Sequence, residues 1–460
     1  MQYLLFGQFN LSIQNLRGQG YDGASNIRGE WNGLQSLFLK DCPFAYYAHC
    51  FAHRLQLALV AAAKDEMNIW QFFSHLTCIV NLVASTPKRL VELKSFQMDE
   101  IARMLSTGER KSGKGVNQIG TLHRAGVPRW SSHYDFVKDL IDIYTTSCRV
   151  VESLRKGGRS QQIRGQASGI YKVMRNFEFI FILHLMNNIM GFTDTLCQAL
   201  QCKSQDILNV LKLVSSTKNL LKKFREDNWD IFLANVVSFC NRHNIDIPDL
   251  SSRYVKGTGL HGQQQDHITV EHHYNFDIFN SAIDLQLMEL EHRFNNEVVE
   301  LLTLSSALDP SHSFKSFNVE EICNLAKKFY PWEFTGQDVK TLKFQLIHYQ
   351  LDISSDPEFQ NISSLTDLSR ELVVSKKFDY YPLVDRLIRL VLTLPISIAT
   401  TERVFSGMKR VKTAMRSKIG DEFFVDYMTI NLERKLVWKI DLEFIIDKFD
   451  SLKTRRAQLR

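Results

Sequence analysis

Pro395-Ile-Ser-Ile-Ala-Thr-Thr-Glu402-Arg403-Val-Phe405-Ser406 is the stretch on which the fold assignment of this chain depends. Pro395 ends an apolar pattern over residues 380–393 whose Leu383, Leu387, Leu390 and Val391 share one helix side. Ser397 is placed to cap a new helix that carries Val404, Met408, Val411 and Met415 inward at three- and four-residue spacing. Glu402 therefore falls in the first turn of a helix that follows a short strand-like run. By itself, such a carboxylate usually complements the helix dipole. Further on, residues 423–436 and 442–452 are again apolar at helical spacing. Phe423, Phe424, Tyr427, Met428, Leu432, Phe444 and Ile445 are more numerous than one buried helix face needs, and so predict association.

Three further motifs lie upstream. Gly18-Gln-Gly-Tyr-Asp22-Gly-Ala-Ser-Asn26 places an Asp before Gly, ordinarily a turn residue. Cys50-Phe-Ala-His53-Arg-Leu55 has two metal-ligand types three apart, but zinc needs two more ligands at comparable spacing and only Cys42 and His49 are near. Packing and hydrogen bonding beside Asp22 is the better reading for Cys50 and His53. Pro128-Arg129-Trp130-Ser-Ser132 opens a helix with a Trp that can fill a core or stack on a flat ligand. Apart from these three, Asp266-His-Ile-Thr-Val-Glu-His-His273 gathers three histidines in a polar connection, where imidazoles are usually solvated.

At 460 residues, with 44% hydrophobic and 11% aromatic content, two or three domains with sizeable cores are expected. The formal charge of +6 permits nucleic-acid binding without demanding it. The runs Lys409-Arg410-Val-Lys412, Arg416-Ser-Lys418 and Lys453-Thr-Arg455-Arg456 fit phosphate contacts and solvated faces equally well. The eight cysteines have no tight spacing and read as reduced thiols. No 18-residue uninterrupted apolar run exists, and residues 1–8 lack the basic flank of a signal peptide, so a soluble intracellular chain with no membrane partner is expected.

Along the chain, residues 11–20 predict a strand. A helix capped by Ser25 or Asn26 follows, with Ile27, Trp31, Leu34, Leu37 and Phe38 inward, and then a second, parallel strand over 42–49. Helical periodicity then dominates over 55–63, 70–84, 88–105, 134–154, 170–200, 205–224, 276–308 and 319–330. Polar, Gly-rich segments near 107–126, 249–273 and 354–366 predict loops. The resulting organisation is a mixed segment at 1–53, a helical insertion at 54–379 and a C-terminal segment at 380–460.

In order and spacing, the four motifs resemble those of hAT-type DNA transposases, over almost the whole chain. The likeness is nearest to plant proteins with an N-terminal zinc finger of the MYM or TTF type. The resemblance implies an α/β ribonuclease-H-like domain interrupted by a large all-helical insertion. It makes Asp22 and Glu402 the second and third acids of a two-metal site for Mg²⁺ or Mn²⁺, hard cations that take oxygen ligands and clamp an in-line phosphoryl displacement. It also implies that Arg129 and Trp130 contact DNA, with Trp130 stacking on a flipped nucleotide. Phe423, Phe424, Tyr427, Met428 and Leu432 fall in the dimerisation segment.

Only 21 residues precede Asp22, so the family's first aspartate, its opening strand and its zinc finger are expected to be missing, leaving the ribonuclease-H-like domain N-terminally incomplete. The resemblance then implies a non-catalytic, transposase-derived nuclear protein with no functional metal cofactor. Its partners would be a second copy or a related transposase-like chain, and DNA. The alternative is a fragment of an active transposase.

Overall fold

The computed structural model describes residues 12–21, 33–49, 51–84, 86–108, 130–200, 207–255, 268–294, 298–310, 314, 316–359, 362–394, 407–408, 411 and 420–451. Two units separate: residues 1–200 with 204–396, and residues 201–203 with 397–460.

The first unit begins with two parallel strands, β1 (Gly18–Tyr21) and β2 (Tyr46–His49), in register Gly18 opposite Tyr46 through Tyr21 opposite His49. Among the described residues they form a two-stranded sheet, joined through helix α1 (Leu34–Asp41). The strand expected over 11–20 is shorter, because residues Ile13–Asn15 close a 3₁₀ turn in which Asn15 N–H donates to Ser12 O at 3.1 Å. In α1 the predicted inward pair divides, Phe38 being buried and Leu37 exposed. Arg17 holds the base of β1. Its guanidinium pairs with Glu333, donates to Gln14 O at 2.6 Å and lies 5.6 Å from the Trp332 ring. One step along, Gln19 Nε2 reaches Ala45 O at 2.8 Å.

Helices follow: α2 (Phe51–Asp65), α3 (Met67–Val83), α4 (Pro87–Ser106), α5 (Trp130–Asp142), α6 (Tyr144–Gly157), α7 (Gln161–Met174), α8 (Phe177–Leu200), α9 (Ile207–Asp227) and α10 (Trp229–Arg242). After a π-helical turn at His273–Asn280 come α11 (Ser281–Arg293), α12 (Val298–Ser306), α13 (Val319–Phe329), α14 (Gly336–Ser355), α15 (Leu365–Val374) and α16 (Pro382–Leu392). The apolar run expected over 134–154 is two helices, because the backbone leaves the helical region at Ile143. That over 170–200 divides at Arg175–Asn176. Helices α10, α14 and α15 were not anticipated. A capping box at Thr335 and Asp338 announces α14, Thr335 Oγ1 accepting from Asp338 N–H at 3.2 Å.

Helix α8 is the centre of the unit. It is long and apolar enough to cross a membrane, yet its Phe179, Ile180, Phe181, Leu183 and Leu185 are buried against neighbouring helices, as in the core helix of a globular protein. Around Phe181 the rings of Phe232, Tyr274 and Phe177 pack at centroid distances of 5.1, 4.9 and 6.2 Å. The described cysteines Cys42, Cys78, Cys148, Cys197, Cys240 and Cys323 are free. Burial pushes the Cys148 and Cys240 thiols up to about 11 and Cys197 up to about 12, which keeps them protonated and unreactive.

The edge of this core holds His184 and His243, on either side of Phe239 at ring distances of 4.8 and 4.3 Å. Burial first, and then His243, pushes His184 down to about 4. Burial also pushes His243 down to about 4, with Arg242 and Arg175 adding to the effect. Both folded values lie below the unfolded one, so the unfolded chain binds more protons as pH falls. Stability is complete above about pH 6.5 and is lost toward pH 4. For His184 the expected loss is about 1–2 kcal/mol between pH 7.5 and pH 5. Thermal midpoints at those pH values, compared between the native chain and His184→Phe, should show the smaller drop in the variant.

Candidate dimerisation surface

The second unit is read from helix α17 (Asp421–Leu432), the turn α18 (Arg434–Val437) and α19 (Leu442–Ser451). Gly420 precedes α17 in extended conformation. One side of α17 faces its own unit. Met428 is 6% exposed, and buried Gly407 lies beneath it, so close that a methyl on Gly407 would come within 3.2 Å of Met428 Cε and 3.6 Å of Leu432 Cδ2. Val411 is buried and Phe424 half-buried.

The other side of α17 faces solvent. Phe423 is 65% exposed, and Tyr427 and Ile430 follow it at spacings of four and three residues on one helix face. Val425 is also exposed. Beyond α17, Leu436, Trp438 (86% exposed) and Ile440 stand out of the α18 turn. On α19, Leu442, Ile445 and Phe449 repeat at three and four residues, with Phe444 beside them, and no residue of that helix is buried. Eleven large apolar side chains are thus exposed between Phe423 and Phe449. An amphipathic helix whose apolar stripe is uncovered loses the burial that makes short helices stable, which makes this face the candidate dimerisation surface.

The structure divides the predicted dimerisation residues. Phe423 and Tyr427 point outward, Met428 points inward, and Phe424 and Leu432 lie between. Val425, Ile430, Leu436, Trp438, Ile440, Leu442 and Phe449 were not anticipated. The spacing of Leu442, Ile445 and Phe449 was the available signal.

Asp22, Glu402, Arg129 and Cys50 lie outside the described residues, as do the basic runs at 409–410, 412, 416–418 and 453–456. Trp130 is the first residue of α5. His53 is half-buried in the first turn of α2, immediately after β2. Among the described residues no three His, Cys, Asp or Glu side chains are grouped to hold a metal. Within the histidine-rich segment, His273 Nδ1 lies 2.9 Å from Asp277 Oδ2 and its ring stacks on Tyr254 at 3.8 Å, which is a packing role.

Two family models match, one at each end of the chain. Residues 2–33 match the model described as "ZMYM1/FAM200, RNase-like domain", and residues 372–432 match the "hAT family C-terminal dimerisation region". The hAT resemblance drawn from the motifs is borne out by these two matches, the second of which covers α16 and α17.

Among curated proteins, the chain is similar to the 52 kDa repressor of the inhibitor of the protein kinase from Homo sapiens. Identity is 18% over 461 residues, covering 98% of this chain and 57% of the relative. The Mus musculus protein of the same name is 18% identical over 462 residues, with the same coverage. The chain therefore spans somewhat more than half the length of the curated relatives it matches.

Proposed function

We propose that this chain is a transposase-derived, non-catalytic protein that works by associating through α17–α19, with a second copy or a related transposase-like chain. The observation that carries the reading is the solvent-facing apolar surface of α17, in the segment that matches the hAT C-terminal dimerisation region. The curated relatives are named as repressors, which supports a regulatory role; the nucleus is where such a protein would act. DNA is its second partner, contacted through Arg129 and Trp130. Residues 1–53 are the N-terminal part of a ribonuclease-H-like domain, with the helices of 54–379 following as an insertion, a reading supported by the RNase-like match at residues 2–33 and the parallel β1–β2 pair.

Light scattering on the purified chain should give a dimer at micromolar concentration, and a clean monomer would remove the association reading. Asp22 and Glu402 are the residues that would ligate Mg²⁺ or Mn²⁺ in an ancestral site, where such ions would polarise a phosphoryl oxygen. Incubation with hairpin or transposon-end DNA and either ion should produce no strand cleavage. Cleavage that disappears in Glu402→Gln would overturn the non-catalytic reading.

A further inference from the structure

Charge in this chain is not evenly spread. Between Arg149 and Arg175 there are seven basic side chains and one acid, Glu152, a local excess of +6. That equals the formal charge of the whole chain, so the rest is neutral on balance. The segment is the helical hairpin of α6 and α7, turning through Gly157-Gly158-Arg159. Helix α4, which also packs against α6, adds Lys88, Arg89, Lys94 and Arg103 against Glu92, Asp99 and Glu100, and so does not offset the excess.

Compensation within the fold is what distinguishes this hairpin. Helix α9 is also rich in lysine, but there Lys212 meets Asp309 at 2.6 Å, Lys218 meets Glu291 at 2.8 Å and Arg225 meets Asp284 at 2.6 Å. In the hairpin, Glu152 alone serves both Lys156, at 2.9 Å, and Arg155, at 3.4 Å. Complementing the C-terminal dipole of α6 explains those two cations. It does not explain exposed Arg159, in the turn itself, or exposed Arg164, in the first turn of α7, which donates to Gly158 O at 2.8 Å; Lys172 lies in the last turn of α7, where it complements that helix's own dipole.

The exposed face of α7 is also unusual in shape. Gln162, Gly165, Gln166, Gly169 and Lys172 line it at helical spacing, and all are exposed. A methyl added at Gly165 or Gly169 would meet nothing within 4 Å. Each interior glycine costs a helix about 1 kcal/mol relative to alanine, and no packing among the described residues offsets that. A flat, polar strip flanked by exposed cations, without a large exposed apolar side chain, suits neither a protein hot spot nor membrane insertion. It suits a rigid polyanion that brings its backbone close to the helix.

We propose that the α6–α7 hairpin is a nucleic-acid-binding surface, taking the phosphodiester backbone of duplex DNA through Lys156, Arg159, Arg164 and Lys172, without base readout. The inference rests on the DNA-binding part of the reading above but places contact at a different surface from Arg129 and Trp130. Counterion release makes it measurable. Each phosphate neutralised contributes about −0.9 to the slope of log K against log salt, so four contacts give a slope of about −3.6.

The test is a salt titration of full-length chain with a 30-base-pair DNA duplex of arbitrary sequence. The triple variant Lys156→Gln, Arg159→Gln, Lys172→Gln should flatten the slope by about 2.7 and weaken binding about 10²-fold at 0.1 M salt. Lys222→Gln with Lys223→Gln, on α9, should leave both unchanged. Substituting arginine for Lys156 and Lys172 should retain the native slope, which separates charge from folding. An unchanged slope in the triple variant would overturn the proposal, as would equal losses in the α9 variant. If only Arg129→Gln with Trp130→Ala flattens the slope, the hairpin assignment fails while DNA binding stands. If the full chain binds no duplex at 50 mM salt, both fail. Binding of phosphatidylserine vesicles that is lost in the triple variant, with DNA binding intact, would reassign the surface to acidic lipid and overturn the proposal.

Discussion

Phe423→Asp combined with Ile430→Asp is expected to convert the associated protein to monomer while leaving its helical content intact. Both side chains lie on the solvent-facing side of α17, away from Met428 and Gly407, so the unit's own packing is untouched. In an associated state the same face is covered, and an unpaired carboxylate there must be desolvated or protonated. Interface hot spots are worth about 2 kcal/mol or more each, so two such changes should weaken association by a factor of about 10³. Light scattering across a concentration series reads the shift. Met428→Asp is the contrasting case. It places the charge inside the unit, against Gly407, and should reduce helicity and solubility instead of giving a folded monomer. If the double variant still associates with native affinity, the outward face of α17 is not the interface.

Phe279→Ala should produce the largest loss of stability among single substitutions in the helical unit. Phe279 is fully buried in the π-helical turn and meets Phe224, Phe232 and Trp229 at 5.0, 5.1 and 5.3 Å. Removing a buried phenyl ring costs about 3–5 kcal/mol, since the cavity cannot be refilled by neighbours that are themselves locked together. Three residues earlier, Phe276 is half exposed and stacks on His272 at 4.5 Å. Phe276→Ala should cost less than about 1 kcal/mol. Urea unfolding followed by circular dichroism distinguishes the two. Equal midpoints would mean that the turn does not present Phe279 to the core.

Much of the helical architecture was legible from periodicity alone. Residues 55–63, 70–84, 88–105 and 319–330 lie within observed helices, or overrun them by a single residue at the C-terminal end, because their apolar spacing is uninterrupted. The strands were legible in kind and too long in extent. Asn15 and Arg17 turn and anchor the chain through contacts with Ser12 and Glu333, and Glu333 is remote in sequence. Helix α7 was only partly read: the expected helix began at Ile170, since Gly165, Gly169 and the glutamines interrupt the apolar spacing before it. The structure has it packed along α6, with Ala167 and Ile170 buried. Asp22 and Glu402, the acids to which the resemblance assigns metal binding, were recognisable only through motif order. A lone Asp before Gly or a lone Glu at a helix start has no physical signature of its own.

The sequence by itself determined that the chain is predominantly helical after a short parallel β-pair, that its ends are hAT-like, and that its C-terminal segment has more apolar surface than it needs. Local spacing and composition carry the first and third of those statements, and the motif resemblance carries the second. Tertiary structure alone decided which side of α17 is covered, because periodicity defines two faces of a helix without saying which one meets a neighbour. It also decided where positive charge is left uncompensated. The acids that neutralise α9 come from 59 to 97 residues away in the chain, at Asp284, Glu291 and Asp309, whereas no such partners reach the tip of the α6–α7 hairpin among the described ion pairs. Electrostatic compensation depends on distance in space, and only folding sets that distance.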